Sequence, residues 1–212
     1  MFHRLPTAAA VVFAGFITTQ WAWSAQTASL DLLRRAADPN PSLKSYTASV
    51  QLSATLHIII PHHETFNGTV YYLRPKRKIE FANVSGPLSR FKDLAASAPT
   101  YDQAVAQYTI TPLQDDGTAS TYLLVPKNQG SRVKSLTVSV SDSRALIIHA
   151  KWLYTNGGKL DFDDTYTNID NFRLPVKADI AARFPGYSVD GTLTFNNYKP
   201  NASVSPSVFA SP

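Results

Sequence analysis

The chain has 212 residues, of which 44% are apolar and 17% charged, enough for one domain with a sizeable core. Its net charge is +5, but the basic residues are spread along the chain and belong to no recognisable nucleic-acid-binding module, so we expect no nucleic-acid partner. The chain contains no cysteine, which excludes disulfides, thiolate metal sites, a cysteine nucleophile and a lipidated cysteine.

Residues 1–25 have the pattern of a cleavable signal peptide. His3 and Arg4 form a short amino-terminal region, an apolar run follows from Leu5 to Ile17, and small residues end it near Ala25. The apolar run is too short to span a bilayer comfortably. We therefore expect a periplasmic or otherwise extracytoplasmic protein, with an uncleaved anchor helix as the alternative.

A short helix is predicted directly after this segment. Ser29 can cap it, Leu32 and Leu33 contribute to an apolar stripe, and residues 38–41, which include two prolines, end it. A second short helix is predicted after Gly86 because apolar residues recur there at helical spacing. Those residues are Leu88, Phe91, Leu94 and Ala95.

The clearest element is a long strand over residues 46–60, in which apolar and polar residues alternate. A turn at residues 61–64 and strands at 66–73 and 78–84 follow. From Gln107 onward, alternating segments separated by turns predict the remaining strands. The total is nine or ten antiparallel strands in one domain, residues 26–200, followed by a flexible tail at residues 201–212.

A large antiparallel sheet with one apolar face must bury that face. Two short helices cannot cover the inner face of nine strands, since a helix is only about 10 Å wide and each added strand widens the sheet by about 4.8 Å. The sheet must therefore fill its own interior or enclose an apolar hollow. Composition and periodicity leave both alternatives open.

Four segments resemble those of a known family. They are 41–46 (Pro-Ser-Leu-Lys-Ser-Tyr), 68–75 (Gly-Thr-Val-Tyr-Tyr-Leu-Arg-Pro), the Leu-Pro pair at 174–175 before a lysine-bearing strand, and 191–198 (Gly-Thr-Leu-Thr-Phe-Asn-Asn-Tyr). With the order of elements, they make the chain similar to the LolA-like periplasmic lipoprotein carriers and the related outer-membrane lipoprotein-sorting proteins.

The resemblance implies a mainly β fold: an antiparallel, unclosed half-barrel whose short helices form a lid over an apolar cavity for acyl chains. It implies that Arg74, in the Arg-Pro motif, ties the lid to the barrel. Apart from the resemblance, the basic corner at residues 74–78 can contact lipid phosphates in a headgroup, and the alternative is a charged corner that keeps the strands soluble. The inward-facing apolar residues expected to line the cavity are Leu52, Leu56, Ile58, Tyr72, Phe81, Phe91, Leu94, Trp152, Phe162, Ile180 and Phe195.

The function expected from this resemblance is non-catalytic binding or transport of a lipid or a lipoprotein acyl group. It requires no cofactor and no metal. The expected partners are the lipid or acylated lipoprotein and a membrane-associated donor or acceptor protein, and the carrier is expected to be a monomer. The alternative is a structural or protein-interaction β domain, such as an envelope sensor, with a filled core.

Two polar clusters are candidate metal sites. His62, His63 and Glu64 have the right chemistry for zinc, but adjacent turn residues rarely converge on one ion, so a solvated hairpin tip is favoured. Asp161 and Asp163 lack the spacing of a calcium loop and are assigned to the wet face of a strand. No nucleophile elbow or phosphate loop is present, and we expect no enzymatic activity.

Overall fold

The structure is a computed structural model that describes residues 28–82 and 100–210. Within these residues the chain forms two α-helices, ten strands and one 3₁₀ helix. In chain order they are α1 (Leu30–Ala37), β1 (Ser45–His57), β2 (His62–Leu73), β3 (Lys76–Phe81), α2 (Tyr101–Gln107), β4 (Tyr108–Asp115), β5 (Ala119–Pro126), β6 (Val133–Ser141), β7 (Leu146–Tyr154), β8 (Lys159–Ile169), β9 (Phe172–Phe184), β10 (Tyr187–Pro200) and the 3₁₀ helix (Pro206–Phe209).

The ten strands form a single antiparallel sheet in the order β3-β2-β1-β10-β9-β8-β7-β6-β5-β4. Sequential strands are neighbours except for β3 and β4, and β10 also pairs with β1, which brings the two ends of the chain together. Strands β3 and β4 are the two edges, and they do not pair with each other. The predicted mainly β, unclosed half-barrel with short helices is confirmed.

Strand β1 follows the predicted alternation, because every second side chain from Tyr46 to Leu56 is buried. The predicted extension to Ile60 is wrong, since the strand ends at His57. The next three residues form an exposed hairpin tip in which Ile58, Ile59 and Ile60 are 45%, 100% and 68% exposed. Three consecutive isoleucines do not alternate with polar residues, so the sequence pattern could not indicate where the strand ends.

Strand β2 begins at His62, four residues before the predicted start, so His62 and His63 belong to the strand rather than to the turn. Helix α2 was not predicted. Thr100 caps it by accepting a hydrogen bond from the backbone of Gln103, whose side chain accepts one from the backbone of Thr100. The helix predicted around Phe91 lies outside the described residues.

Helix α1 has the predicted bounds. The Ser29 side chain accepts a hydrogen bond from the Asp31 backbone, and an Arg35–Asp31 ion pair at 3.1 Å spans one turn. Leu32 and Leu33 face the sheet and are buried. No helix among the described residues is long and apolar enough to cross a membrane.

The apolar side chains form two separate clusters. One lies on β1, β2, β9 and β10 and includes Val50, Val70 and Leu193. The other joins α1 and α2 to strands β5, β6 and β7. Trp152 on β7 packs against both clusters and marks the boundary between them. The space along this boundary is where a cavity can form.

After β10, which lies inside the sheet, the chain continues to the edge formed by β3. The 3₁₀ helix lies near β3, where the Lys78 Nζ atom donates a hydrogen bond to the Val208 carbonyl at 2.8 Å. The Ser45 hydroxyl donates one to the Ala202 carbonyl at 2.6 Å. Residues 201–210, expected to be a flexible tail, therefore make specific contacts with both β1 and β3.

Glycine is required at position 68 because the backbone of β3 approaches the backbone of β2 closely there. On β2, Gly68 pairs with Phe81 of β3, and a Cβ atom at this position would lie 2.3 Å from the Glu80 carbonyl oxygen. We expect Gly68→Ala to lower the free energy of unfolding by about 2 kcal/mol, through strain between β2 and β3. Chemical denaturation measures this value.

The matched control is Gly191→Ala, also within a strand, where the new Cβ would lie 3.3 Å from the nearest backbone oxygen. Its effect on the free energy of unfolding should be smaller. Equal losses in the two variants would contradict the assignment of Gly68 to a steric role.

Candidate functional site

The site is an apolar cavity of about 220 Å³ between the inner face of the sheet and the two helices. It lies along the boundary between the two clusters, and Trp152 is part of its wall. The helical side of the wall includes Leu33, Ala37, Tyr101 and Ala104. The sheet side includes Leu124, Leu136, Val138, Ala150, Phe162, Ala178, Leu193 and Phe195.

Three of the predicted cavity residues line this cavity: Trp152, Phe162 and Phe195. The ring centroids of Trp152 and Phe162 are 5.5 Å apart in an edge-to-face arrangement. Five others pack in or against the cluster on the far side of Trp152, away from this wall. They are Leu52, Leu56, Tyr72, Phe81 and Ile180.

One further predicted residue, Ile58, lies away from the cavity. Ile58 is at the exposed tip between β1 and β2, beside Phe184 and Tyr187 of the neighbouring hairpin. Phe91 and Leu94 lie outside the described residues, so their relation to the cavity stays a prediction.

Arg74 connects the end of helix α1 to the corner between β2 and β3. Its guanidinium group pairs with the carboxylate of Asp38, the residue that follows α1, and donates to the Pro41 carbonyl at 2.7 Å. At the other end of the helix, the Tyr122 hydroxyl donates to the Ser29 carbonyl at 2.5 Å. Helix α1 is therefore fastened to the sheet at both ends.

Three polar side chains also line the cavity: Arg77 on β3, and Asp164 and Tyr166 on β8. The Arg77 guanidinium carbon lies 5.6 Å from the centroid of the Phe195 ring, within the range of a cation–π contact. The Arg77 Nε atom is buried and has no hydrogen-bond partner among the described residues.

Burial raises the pKa of the Asp164 carboxyl to about 6, with nearby Arg77 lowering it and Asp163 raising it. Burial likewise raises the pKa of the Tyr166 hydroxyl. An apolar cavity with a few convergent polar groups and a perturbed carboxyl is the usual form of a small-molecule binding site.

Sequence reasoning missed Arg77, Asp164 and Tyr166 as members of the cavity wall. The signal was available on β8, where Asp164 and Tyr166 have the same parity as the apolar Leu160 and Phe162 and therefore face the same side. Asp161 and Asp163 have the opposite parity and face outward, as predicted, where both approach His149.

The convex face carries a broad polar depression of about 450 Å³ that includes His63, Asp163 and Asp179. It is open to solvent and offers little apolar surface for a lipid. Within residues 28–82 and 100–210, no group of three potential ligands is placed to hold a metal ion.

Three solved structures share the fold. A LolA superfamily protein from Nitrosomonas europaea aligns with a TM-score of 0.56 at 12% identity, covering 88% of this chain and 99% of its own. An outer-membrane lipoprotein-sorting protein domain from Vibrio parahaemolyticus gives 0.56 at 11% identity, covering 85% and 95%. A DUF1329 family protein from Desulfovibrio piger gives 0.51 at 12% identity, covering 84% and 94%.

No protein-family model matches the chain, and no curated protein matches it in sequence. At identities of 11–12%, these alignments establish the fold. The protein therefore has the LolA-like half-barrel fold, as the four sequence segments suggested, and this fold is shared with a lipoprotein-sorting protein domain.

Asp164 makes the stability of the protein depend on pH. Its pKa is about 6 in the fold and 3.8 in a model peptide, so ionisation costs the folded state about 3 kcal/mol. The free energy of unfolding should therefore be highest below about pH 4 with respect to this group, fall through pH 6 and then level off. Asp164→Asn should lack this fall and be more stable than the wild type at pH 8.

The control is Asp163→Asn, the exposed neighbour on the outer face, which should retain the fall between pH 4 and 6. Urea unfolding at intervals from pH 4 to 8 gives the comparison. A constant difference between the wild type and Asp164→Asn at every pH would contradict the raised pKa.

Proposed function

We propose that the protein binds a lipid, or the acyl group of a lipoprotein, in the cavity under helices α1 and α2, without catalysing a reaction. The observation that carries this proposal is the apolar cavity at the boundary between two core clusters that do not merge. Its wall is mostly aliphatic and aromatic, and each methylene group that leaves water for such a wall contributes about 0.8 kcal/mol.

The cavity volume constrains how a ligand binds. About 220 Å³ is below the roughly 300–1,000 Å³ typical of ligand pockets, so a long acyl chain requires the lid to move. The Arg74–Asp38 pair that fastens the end of α1 is partly exposed, and exposed ion pairs contribute only about 0–1 kcal/mol. Displacement of α1 therefore has a low electrostatic cost.

The proposed setting is the periplasm or another extracytoplasmic compartment, reached through the signal peptide at residues 1–25. The fold shared with a lipoprotein-sorting protein domain supports this setting and supports a lipid or acylated lipoprotein as the ligand. A monomer that takes its ligand from one membrane-associated protein and gives it to another is the simplest arrangement.

A second candidate function is that of a protein-interaction domain. The observation that favours it is the isoleucine tip, residues 58–60, because consecutive large apolar side chains are rarely left in water without a partner. Such a domain would act through its surface and would not need the cavity to be accessible to a ligand.

Filling the cavity tests the first candidate. Ala178 on β9 is buried and faces the cavity, so in Ala178→Phe the phenyl ring should fill the space that the ligand would occupy. We expect the affinity for a fluorescent fatty-acyl probe to fall at least about tenfold, which corresponds to about 1.4 kcal/mol. Titration of the purified protein measures the affinity, and circular dichroism verifies the fold.

The matched control is Ala181→Phe, three residues later on the same strand, at the edge of the depression on the convex face. It should leave probe affinity unchanged. Equal affinity in the wild type and both variants would place the probe outside the cavity. A wild-type protein that neither binds the probe nor co-purifies with lipid would favour the protein-interaction domain.

A further inference from the structure

We propose that the cavity takes a ligand with an anionic head, a carboxylate or a phosphate, which binds against Arg77 in the wall. This inference rests on the proposed function and adds to it the chemical class of the ligand. It concerns a charged group within the apolar site itself, distinct from Arg74 at the end of the lid.

Arg77 carries a buried donor that no described residue satisfies. It lies on edge strand β3 and lines the cavity, and its Nε atom is buried without a hydrogen-bond partner among the described residues. A buried donor left unsatisfied is costly, and the cost is greater for a charged group. A ligand oxygen in the cavity would satisfy this donor and neutralise the charge.

The guanidinium group is held in position by an aromatic ring. Its central carbon lies 5.6 Å from the centroid of Phe195, whose ring also lines the cavity. A guanidinium group in a cation–π contact keeps its planar set of donors available for the two oxygens of a carboxylate or phosphate. The apolar chain of such a ligand would then extend toward Trp152.

When ionised, the Asp164 carboxylate competes with an anionic ligand for Arg77. The protonation state of Asp164 therefore affects how tightly such a ligand binds. Asp164 influences Arg77 through the cavity, but no direct ion pair joins the two in the described part of the chain. Burial raises the pKa of Asp164, Arg77 lowers it and the exposed Asp163 raises it, while Asp164 contributes to the raised pKa of the Tyr166 hydroxyl. A bound anion would favour the protonated acid, which can donate a hydrogen bond to the ligand.

Two pairs of ligands test the charge requirement and distinguish its sources. Oleic acid and its methyl ester differ only in the carboxylate, and dioleoyl phosphatidic acid and dioleoylglycerol differ only in the phosphate. Dissociation constants of the delipidated protein at pH 7 would be measured by displacement of a fluorescent apolar probe. We expect the charged member of at least one pair to bind about tenfold more tightly than its neutral counterpart.

Arg77→Gln should remove this preference by weakening the charged ligand to the level of the neutral one, while the neutral ligand binds as before. Arg77→Lys, which keeps the charge, should retain part of the preference. The control is Lys76→Gln, the exposed neighbour on β3, which removes the same charge and should leave all four constants unchanged.

The outcomes separate the two proposals. Preference for the acid in the first pair identifies a carboxylate ligand, and preference in the second identifies a phospholipid. Equal binding of charged and neutral members, or loss of all binding in Arg77→Gln, overturns the anionic ligand while the cavity remains a lipid site. Failure of all four ligands to bind the wild type overturns the proposed function as well.

Discussion

The structure depends on a mismatch of size between the sheet and the helices that cover it. Ten strands at about 4.8 Å spacing make a sheet roughly 40 Å wide, whereas the eight residues of α1 form a helix about 12 Å long. The two described helices therefore cover one part of the inner face. Among the described residues, the apolar side chains of β1, β2, β9 and β10 pack largely against one another.

The difference between the part of the sheet covered by the described helices and the rest explains why there are two apolar clusters. Where α1 packs, β5, β6 and β7 form a core with the helix, and Tyr122 and Val140 are fully buried. Where it does not, aromatic side chains such as Tyr46 and Tyr72, with ring centroids 5.0 Å apart, fill the concave side of the curved sheet. The two clusters meet at Trp152, and the cavity is the space between them that the described side chains leave unfilled.

The sequence was sufficient to predict the class of fold because the signal is repeated in almost every strand. Alternation identifies β1, and the capping serine with its leucine stripe identifies α1. Boundaries were harder, since nothing in the isoleucine run 58–60 indicates that pairing stops at His57. Helix α2 did carry a local signal, Thr100 followed three residues later by Gln103, but a capping box before only seven residues is a weak indication.

The site was harder to predict than the fold, for a physical reason. Apolar parity identifies most inward-facing apolar residues, but it does not indicate which of them lie at the boundary between the clusters and which are packed on all sides. Leu52 and Phe162 are equivalent by this criterion, yet only Phe162 lines the cavity. The more informative deviation is a charged residue at an inward position, such as Asp164 within the alternation of β8.

That deviation also bears on the choice between a filled core and a binding site. Arg77 and Asp164 are partly buried, and partial burial of a charged group costs more than burial of an apolar side chain of similar size in the same place, so burial alone does not explain either residue. A domain that served only as a scaffold would gain from replacing both with aliphatic residues. Their presence on the wall of an otherwise apolar cavity, one beside an aromatic ring and the other with a raised pKa, is consistent with a cost in stability that is offset when a ligand binds.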